Sequence, residues 1–215
     1  MNAEHTSIRW RFGLRWVLLT IAGWAIGFPL GFVFVAVAGL IIGLHEGSDS
    51  ILLKLGLDNA AVFICIATVV SLMQWLALRR VVQRAGFWVL ASIIGFTISS
   101  SIHGVVCHVY GYPDDLGPLG AVGWAAASVV GGALAGLLQQ RILRHQVCHS
   151  AWWVPASAAG WGLVMIGFGI ASKILGVRLL VVGLIVSSGL LGIVTGWTLI
   201  WLLRQPRQQM PYTTT

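Results

Sequence analysis

WVLLTIAGW at 16–24, WVLASIIGF at 88–96 and WVPASAAGW at 153–161 are one phrase written three times. Each is followed by an apolar run that closes on Leu-Arg, at Leu78-Arg79, Leu143-Arg144 and Leu203-Arg204. Self-similarity at a fixed period is the mark of one supersecondary unit stacked on copies of itself. A run of roughly 20 apolar residues is what a helix needs to cross ~30 Å of hydrocarbon. The unit is therefore expected to be a pair of membrane-spanning helices, present three times.

The aligned columns have helical spacing. In the first helix of each pair they are Trp16/Trp88/Trp153, Thr20/Ser92/Ser157, Gly23/Gly95/Gly160 and Trp24/Phe96/Trp161. Positions 0, 4, 7 and 8 fall on one face of a helix. In the second helix they are Phe63/Ser128/Ser188, Ala67/Gly132/Gly192, Ser71/Gly136/Gly196 and Leu78/Leu143/Leu203. Small residues at every fourth position let helix backbones approach closely, and in lipid such packing drives helix association. Gly23, Gly95, Gly160, Gly132, Gly136, Gly192 and Gly196 are expected at helix contacts. The hydroxyls of Thr20, Ser92 and Ser157 can bond across helices or to their own backbone carbonyls.

Composition points the same way. The 215 residues are 58% hydrophobic and 9% charged, with mean hydropathy +0.90, where a soluble domain carries about 25% charged residues. Six windows are free of Asp, Glu, Lys and Arg: 16–45, 59–78, 85–113, 116–140, 145–172 and 179–203. None alternates polar with apolar residues, as a membrane strand would. The expected fold is all-α: an integral membrane six-helix bundle of three tandem two-helix repeats, 16–80, 88–145 and 153–205. Residues 1–15 and 206–215 would be short cytoplasmic segments.

The gaps between windows carry unequal charge. Alternate gaps, counted from the N-terminus, hold Arg9, Arg11, Arg15, Arg79, Arg80, Arg84, Arg141, Arg144, Arg204 and Arg207, opposed by Glu4. The other gaps hold Lys54, Lys173 and Arg178 with Glu46, Asp49, Asp58, Asp114 and Asp115. Short loops rich in Lys and Arg stay on the cytoplasmic side, so both termini are expected inside, in a bacterial inner or thylakoid membrane. The net charge of +7 is largely this topological signal. It does not mark a nucleic-acid surface, which would need basic residues clustered on a soluble face.

The apolar run behind the basic start is nearly 30 residues long, beyond the ~7–15 of a signal peptide, and it belongs to the repeat. No cleavage is expected. Cys65, Cys107 and Cys148 form no CxxC pair, and an odd, scattered set excludes a disulfide framework. Cys148, in an expected cytoplasmic loop, should be a reduced thiol.

The stretch QWLALRRVVQRAGFWVLASIIGF, Gln74 to Phe96, resembles a group of uncharacterised polytopic membrane proteins of cyanobacteria and filamentous phototrophic bacteria. In these a Gln-Trp-Leu-x-Leu-Arg-Arg segment is joined through a short basic loop to a Trp-Val-x-Ala-Ser helix. The pattern returns more faintly at 139–161, where Gln140-Arg141 replaces Trp-Leu, and the third copy has Leu199 in place of the Gln. The resemblance implies the helical architecture and a phototrophic source. It implies no activity.

Chemistry-bearing patterns are sparse. Acidic residues are missing from all six windows, which argues against proton coupling through intramembrane carboxylates. There is no Gly-x-Ser-x-Gly elbow and no HExxH. No enzyme is expected, and the cofactor is left unknown. One constellation merits naming. His103 occupies the column of Gly31 and Phe168, Cys107 follows at i+4, and His108, Tyr110, Asp114 and Asp115 lie beyond, with His45 and Glu46 at the same expected outer side. Imidazole with thiolate or carboxylate suits a transition metal, so His103 and Cys107 are metal candidates. His103, His108, Trp24 and Trp161 are candidates for a hydrophobic ligand or pigment. A His bonded to Ser99 or to water near the interface is the plainer account of position 103.

Trp10, Trp16, Trp75, Trp88, Trp152, Trp153 and Trp201 fall near the expected cytoplasmic ends, where an aromatic belt at headgroup level would place them. Pro29 and Pro155 are expected inside helices, where kinks are tolerated in a membrane. Three functional classes remain. The first is a non-catalytic accessory or scaffolding subunit of a larger membrane complex, such as a photosynthetic one, with other membrane subunits and lipid as partners. The second is a small-solute-binding transport component, similar in size and span number to the substrate-binding subunits of vitamin transporters. The third is an intramembrane enzyme built on His103 and Cys107.

Overall fold

A backbone in hydrocarbon must satisfy its own N–H and C=O groups, which favours helices. In the computed structural model the described residues are 3–42, 51–110, 113–175 and 180–205. They form α1 (Ala3–Ile42), α2 (Ile51–Leu78), α3 (Gly86–Tyr110), α4 (Pro113–Leu143), α5 (Trp153–Leu175) and α6 (Leu180–Arg204). A short 3-10 turn, Ser150–Trp152, precedes α5. No strand occurs among the described residues.

Four helices contain stretches long and apolar enough to cross a membrane: Trp10–Val37, Ala61–Leu78, Ala125–Leu143 and Val182–Arg204. Gly86–Ile102 is a shorter apolar stretch. The chain is by length and composition a multi-pass membrane protein. Its exposed apolar side chains, among them Leu18, Phe32, Leu90, Ile98, Ile166 and Val186, are suited to a lipid surrounding.

Each helix packs on the next in sequence, and α6 also packs on α1. Glycines set how close the backbones come. A Cβ on Gly23 would lie 2.7 Å from Val70 Cα, one on Gly27 3.1 Å from Ile66 Cα, and one on Gly31 3.3 Å from Val62 Cα. The Gly-x3-Gly-x3-Gly face of α1 thus lies directly on α2. A Cβ on Gly95 would fall on Ala135, and one on Gly160 on the Leu191 side chain. Those are the α3–α4 and α5–α6 contacts. Glycines of the even-numbered helices serve the next junction. Gly132 meets Trp161 and Ser157, Gly136 meets Ser157 and Val154, Gly192 meets Val17 and Thr20, and Gly196 meets Trp16. At Gly23 and Gly95 an added Cβ would collide with the facing backbone, while at Gly192 it would need a shift of only a few tenths of an ångström.

Two connectors, α2–α3 and α4–α5, are built alike. The Leu78 carbonyl accepts from the amides of Val81 and Val82, and the Leu143 carbonyl from those of Gln146 and Val147. Arg84 and His149, each four residues before a repeat Trp, take φ of 57° and 56°, a left-handed conformation that costs a non-Gly residue steric strain. The connectors also bond each other: Gln83 N–H donates to Gln146 Oε1 at 2.6 Å, and Gln146 Nε2 donates to the Gln83 carbonyl at 3.1 Å. Exposed Arg79, Arg80, Arg84, Arg141, Arg144 and Arg204 flank this end, and Arg11 and Arg15 precede Trp16 there.

The structure refines one boundary and places both prolines within helices. The window 145–172 opens on the connector, since α5 begins at Trp153. Pro155 is the third residue of α5, among the first four amides, which lack intrahelical acceptors in any helix. It starts the helix and interrupts no ladder. Pro29 does lie inside α1.

Candidate functional site

The repeated Trp column converges. Ring centroids of Trp16, Trp88 and Trp153 lie 6.1 Å (16–88), 6.3 Å (16–153) and 5.2 Å (88–153) apart. Interplanar angles of 83°, 82° and 60° give tilted and edge-to-face contacts, which suit the ring quadrupole. Their exposures are 0%, 0% and 2%. This overturns the aromatic-belt expectation for these three. An indole can be fully buried when its N–H has a partner, and each N–H here has one. Trp10 and Trp152 are exposed on the outside, in keeping with a belt.

The partners lie on even-numbered helices. Trp88 Nε1 donates to Gln74 Oε1 at 3.1 Å, and Trp153 Nε1 donates to Gln139 Oε1 at 2.8 Å. An indole nitrogen can only donate, so each amide oxygen must face its Trp. The amide nitrogens turn the other way: Gln139 Nε2 donates to Ser92 Oγ at 2.9 Å and Gln74 Nε2 to Thr20 Oγ1 at 3.5 Å. Ser92 Oγ in turn donates to the Trp88 carbonyl at 2.8 Å. Each Gln therefore joins the first helix of its own pair to the first helix of the next.

The third pair does this differently. Leu199 stands in the Gln column and has no polar atom. Trp16 Nε1 instead donates to Thr195 Oγ1 at 3.0 Å, one turn earlier on α6. Thr195 Oγ1 donates to the Leu191 carbonyl at 2.6 Å. The Trp keeps an acceptor, but the side chain that would reach Ser157 is missing.

Two turns along, Trp24, Phe96 and Trp161 form a second aromatic layer. Phe96 and Trp161 centroids are 4.2 Å apart at 82°, and Trp24 and Trp161 are 5.7 Å apart. Trp24 Nε1 is buried with no partner. Trp24 and Trp161, offered from sequence as ligand-stacking residues, are thus placed against each other inside the helices. Between the two layers lies a small cavity of about 20 Å³, and a second of the same size lies beyond Phe96 and Trp161, beside Ser99, Ser100 and Ser128.

His103, Cys107 and His108 belong to the end of α3, and their side chains lie outside the described residues, as do those of Tyr110, Asp114 and Asp115. His45 and Glu46 lie outside the described residues entirely. Among the described residues no three His, Cys, Asp or Glu side chains stand together as metal ligands. The polar layer has hydrogen-bond donors and acceptors but no charge. It can hold neutral groups and fix helix register. On the outer surface, Trp152, Trp197 and Trp201 line an open groove of about 500 Å³ between α5 and α6.

Sequence reading missed Gln74 and Gln139 as site residues. A signal was present: Gln and Trp recur fourteen residues apart, at 74/88 and 139/153. A neutral polar side chain inside an apolar helix calls for a partner. No family model, curated protein or solved structure matches the chain.

Proposed function

We propose that this chain is a non-catalytic integral membrane protein, an accessory or scaffolding subunit of a larger membrane complex. In this reading it is a six-span bundle of three tandem helix pairs with both termini in the cytoplasm. A photosynthetic complex is a fitting host if the sequence resemblance to proteins of phototrophic bacteria holds. One observation carries the reading. The described interior is filled by side chains that bond one another, with voids of about 20 Å³, whereas a small-molecule pocket occupies ~300–1,000 Å³.

The surface supports the same conclusion. Trp197 is 76% exposed on the groove of about 500 Å³ between α5 and α6. Three tryptophans, Trp152, Trp197 and Trp201, flanking a groove with Ala156 and Thr198 in its floor suit a partner's transmembrane helix, since helix association in lipid rests on packing. The test places a photo-crosslinking amino acid at Trp197 and, separately, at Val130, which is exposed on α4. In native membranes the Trp197 probe should capture one defined membrane subunit, and the Val130 probe should not. Equal labelling of lipid alone at both positions would overturn the scaffold reading.

A further inference from the structure

The small cavity between the two aromatic layers has a mixed polar and apolar lining without charge. Ser157 lines it and is 3% exposed. In the two sister pairs the equivalent hydroxyl accepts a hydrogen bond from a Gln amide. There Gln74 reaches Thr20 and Gln139 reaches Ser92. The corresponding position in the third pair is Leu199, whose side chain has no amide to offer, and Ser157 lies on the cavity wall.

We propose that this cavity is a binding site for a single water molecule, which stands in for the amide the third pair lacks. Size sets the first limit. A volume of about 20 Å³ exceeds the ~10–15 Å³ that one water requires and leaves no room for a larger solute. Charge sets the second. With no ionised group in the lining, a bound ion would remain uncompensated, so the occupant is neutral.

Hydrogen bonding sets the third limit. Ser157 offers a donor and two acceptor sites. Each Gln amide nitrogen has two N–H groups, and the described bonds from Gln74 and Gln139 use one of each. Ser71 Oγ, whose proton goes to the Thr68 carbonyl at 3.1 Å, can still accept. A water with these neighbours reaches the two to four partners typical of a buried structural water. It would complete the polar layer while the Trp16–Thr195 bond closes the ring.

The test is an experimental density map at a resolution that shows waters, for the full-length wild type and for Leu199→Gln and Leu199→Met. The wild type should show one peak within hydrogen-bonding distance of Ser157 Oγ. Leu199→Gln should lose it, with the new amide reaching Ser157 directly. Leu199→Met, similar in bulk but without the amide, should keep it. An empty cavity in the wild type would overturn the proposal, whatever the variants do. A peak that survives Leu199→Gln at full occupancy, with Ser157 still bound to it, would overturn the claim that water replaces the missing amide.

Discussion

The indole N–H of Trp88 on α3 is bonded to the amide oxygen of Gln74 on α2 at 3.1 Å, inside a buried layer. Trp153 and Gln139 repeat the bond at 2.8 Å on α5 and α4. Both sides of each bond are needed. A Trp without an acceptor, or a Gln without a donor, would leave a polar group stranded in an apolar interior. The polar layer therefore fixes the angular register of the helices, while the glycines fix their separation.

Gln139→Leu imitates the third pair without supplying a Thr195 equivalent, because Ala135 stands in that column. It should strand Trp153 Nε1 and lower stability by roughly 1–3 kcal/mol. Thermal melts in detergent check this. A melting temperature equal to wild type would mean that the bond carries no net stability.

The buried and exposed tryptophans should behave oppositely. Trp88→Ala removes a fully buried side chain and should cost about 3–5 kcal/mol. Trp10→Ala, at a position 68% exposed, should change stability in detergent little. Comparable losses would place Trp88 at the surface, as the belt expectation had it.

Gly136→Leu should destabilise strongly, because even a Cβ there would lie 2.9 Å from Ser157 Cβ. Gly196→Leu should do the same against Trp16, 2.8 Å from the added Cβ to its Cδ1. Val130→Leu, on an exposed face of α4, is the comparison and should be near neutral. Denaturation midpoints of the three variants decide it; equal effects would make the small-residue column incidental.

The charge asymmetry predicts where reporters report. Fusions after Gly47, Gly111 and Gly176 should be external, and fusions at Arg80, His145 and Thr215 cytoplasmic. Paired phosphatase and fluorescent-protein fusions measure this, and one reversed site would break the topology.

The helical class and the boundaries at Leu78 and Leu143 were legible because apolar run length and Leu-Arg endings are local signals. The Trp triad was not. Trp16, Trp88 and Trp153 sit beside arginines in sequence, and an interfacial belt explains that equally well. Only the convergence of three helices separates a Trp facing lipid from one facing its sister copies. Gln74 and Gln139 were missed because their partners come from the next helix pair. Gly27 went unnamed because the column comparison sought agreement among copies, and position 27 aligns with Ser99 and Val164. The outer residues around His103 stand where sequence left them, since their side chains lie outside the described residues.

The ring of helices, each packed on the next and α6 on α1, is tested most directly at the junction that joins its two ends. A Cβ on Gly192 of α6 would lie 3.1 Å from Val17 Cα on α1, close enough for a disulfide, whose Cβ atoms sit ~3.5–4.5 Å apart. In a background with Cys65, Cys107 and Cys148 replaced by Ser, Val17→Cys with Gly192→Cys should cross-link within one chain in native membranes. The product should be a monomer of altered gel mobility that reverts on reduction. Failure to link under oxidant, or links formed only between chains, would contradict the ring.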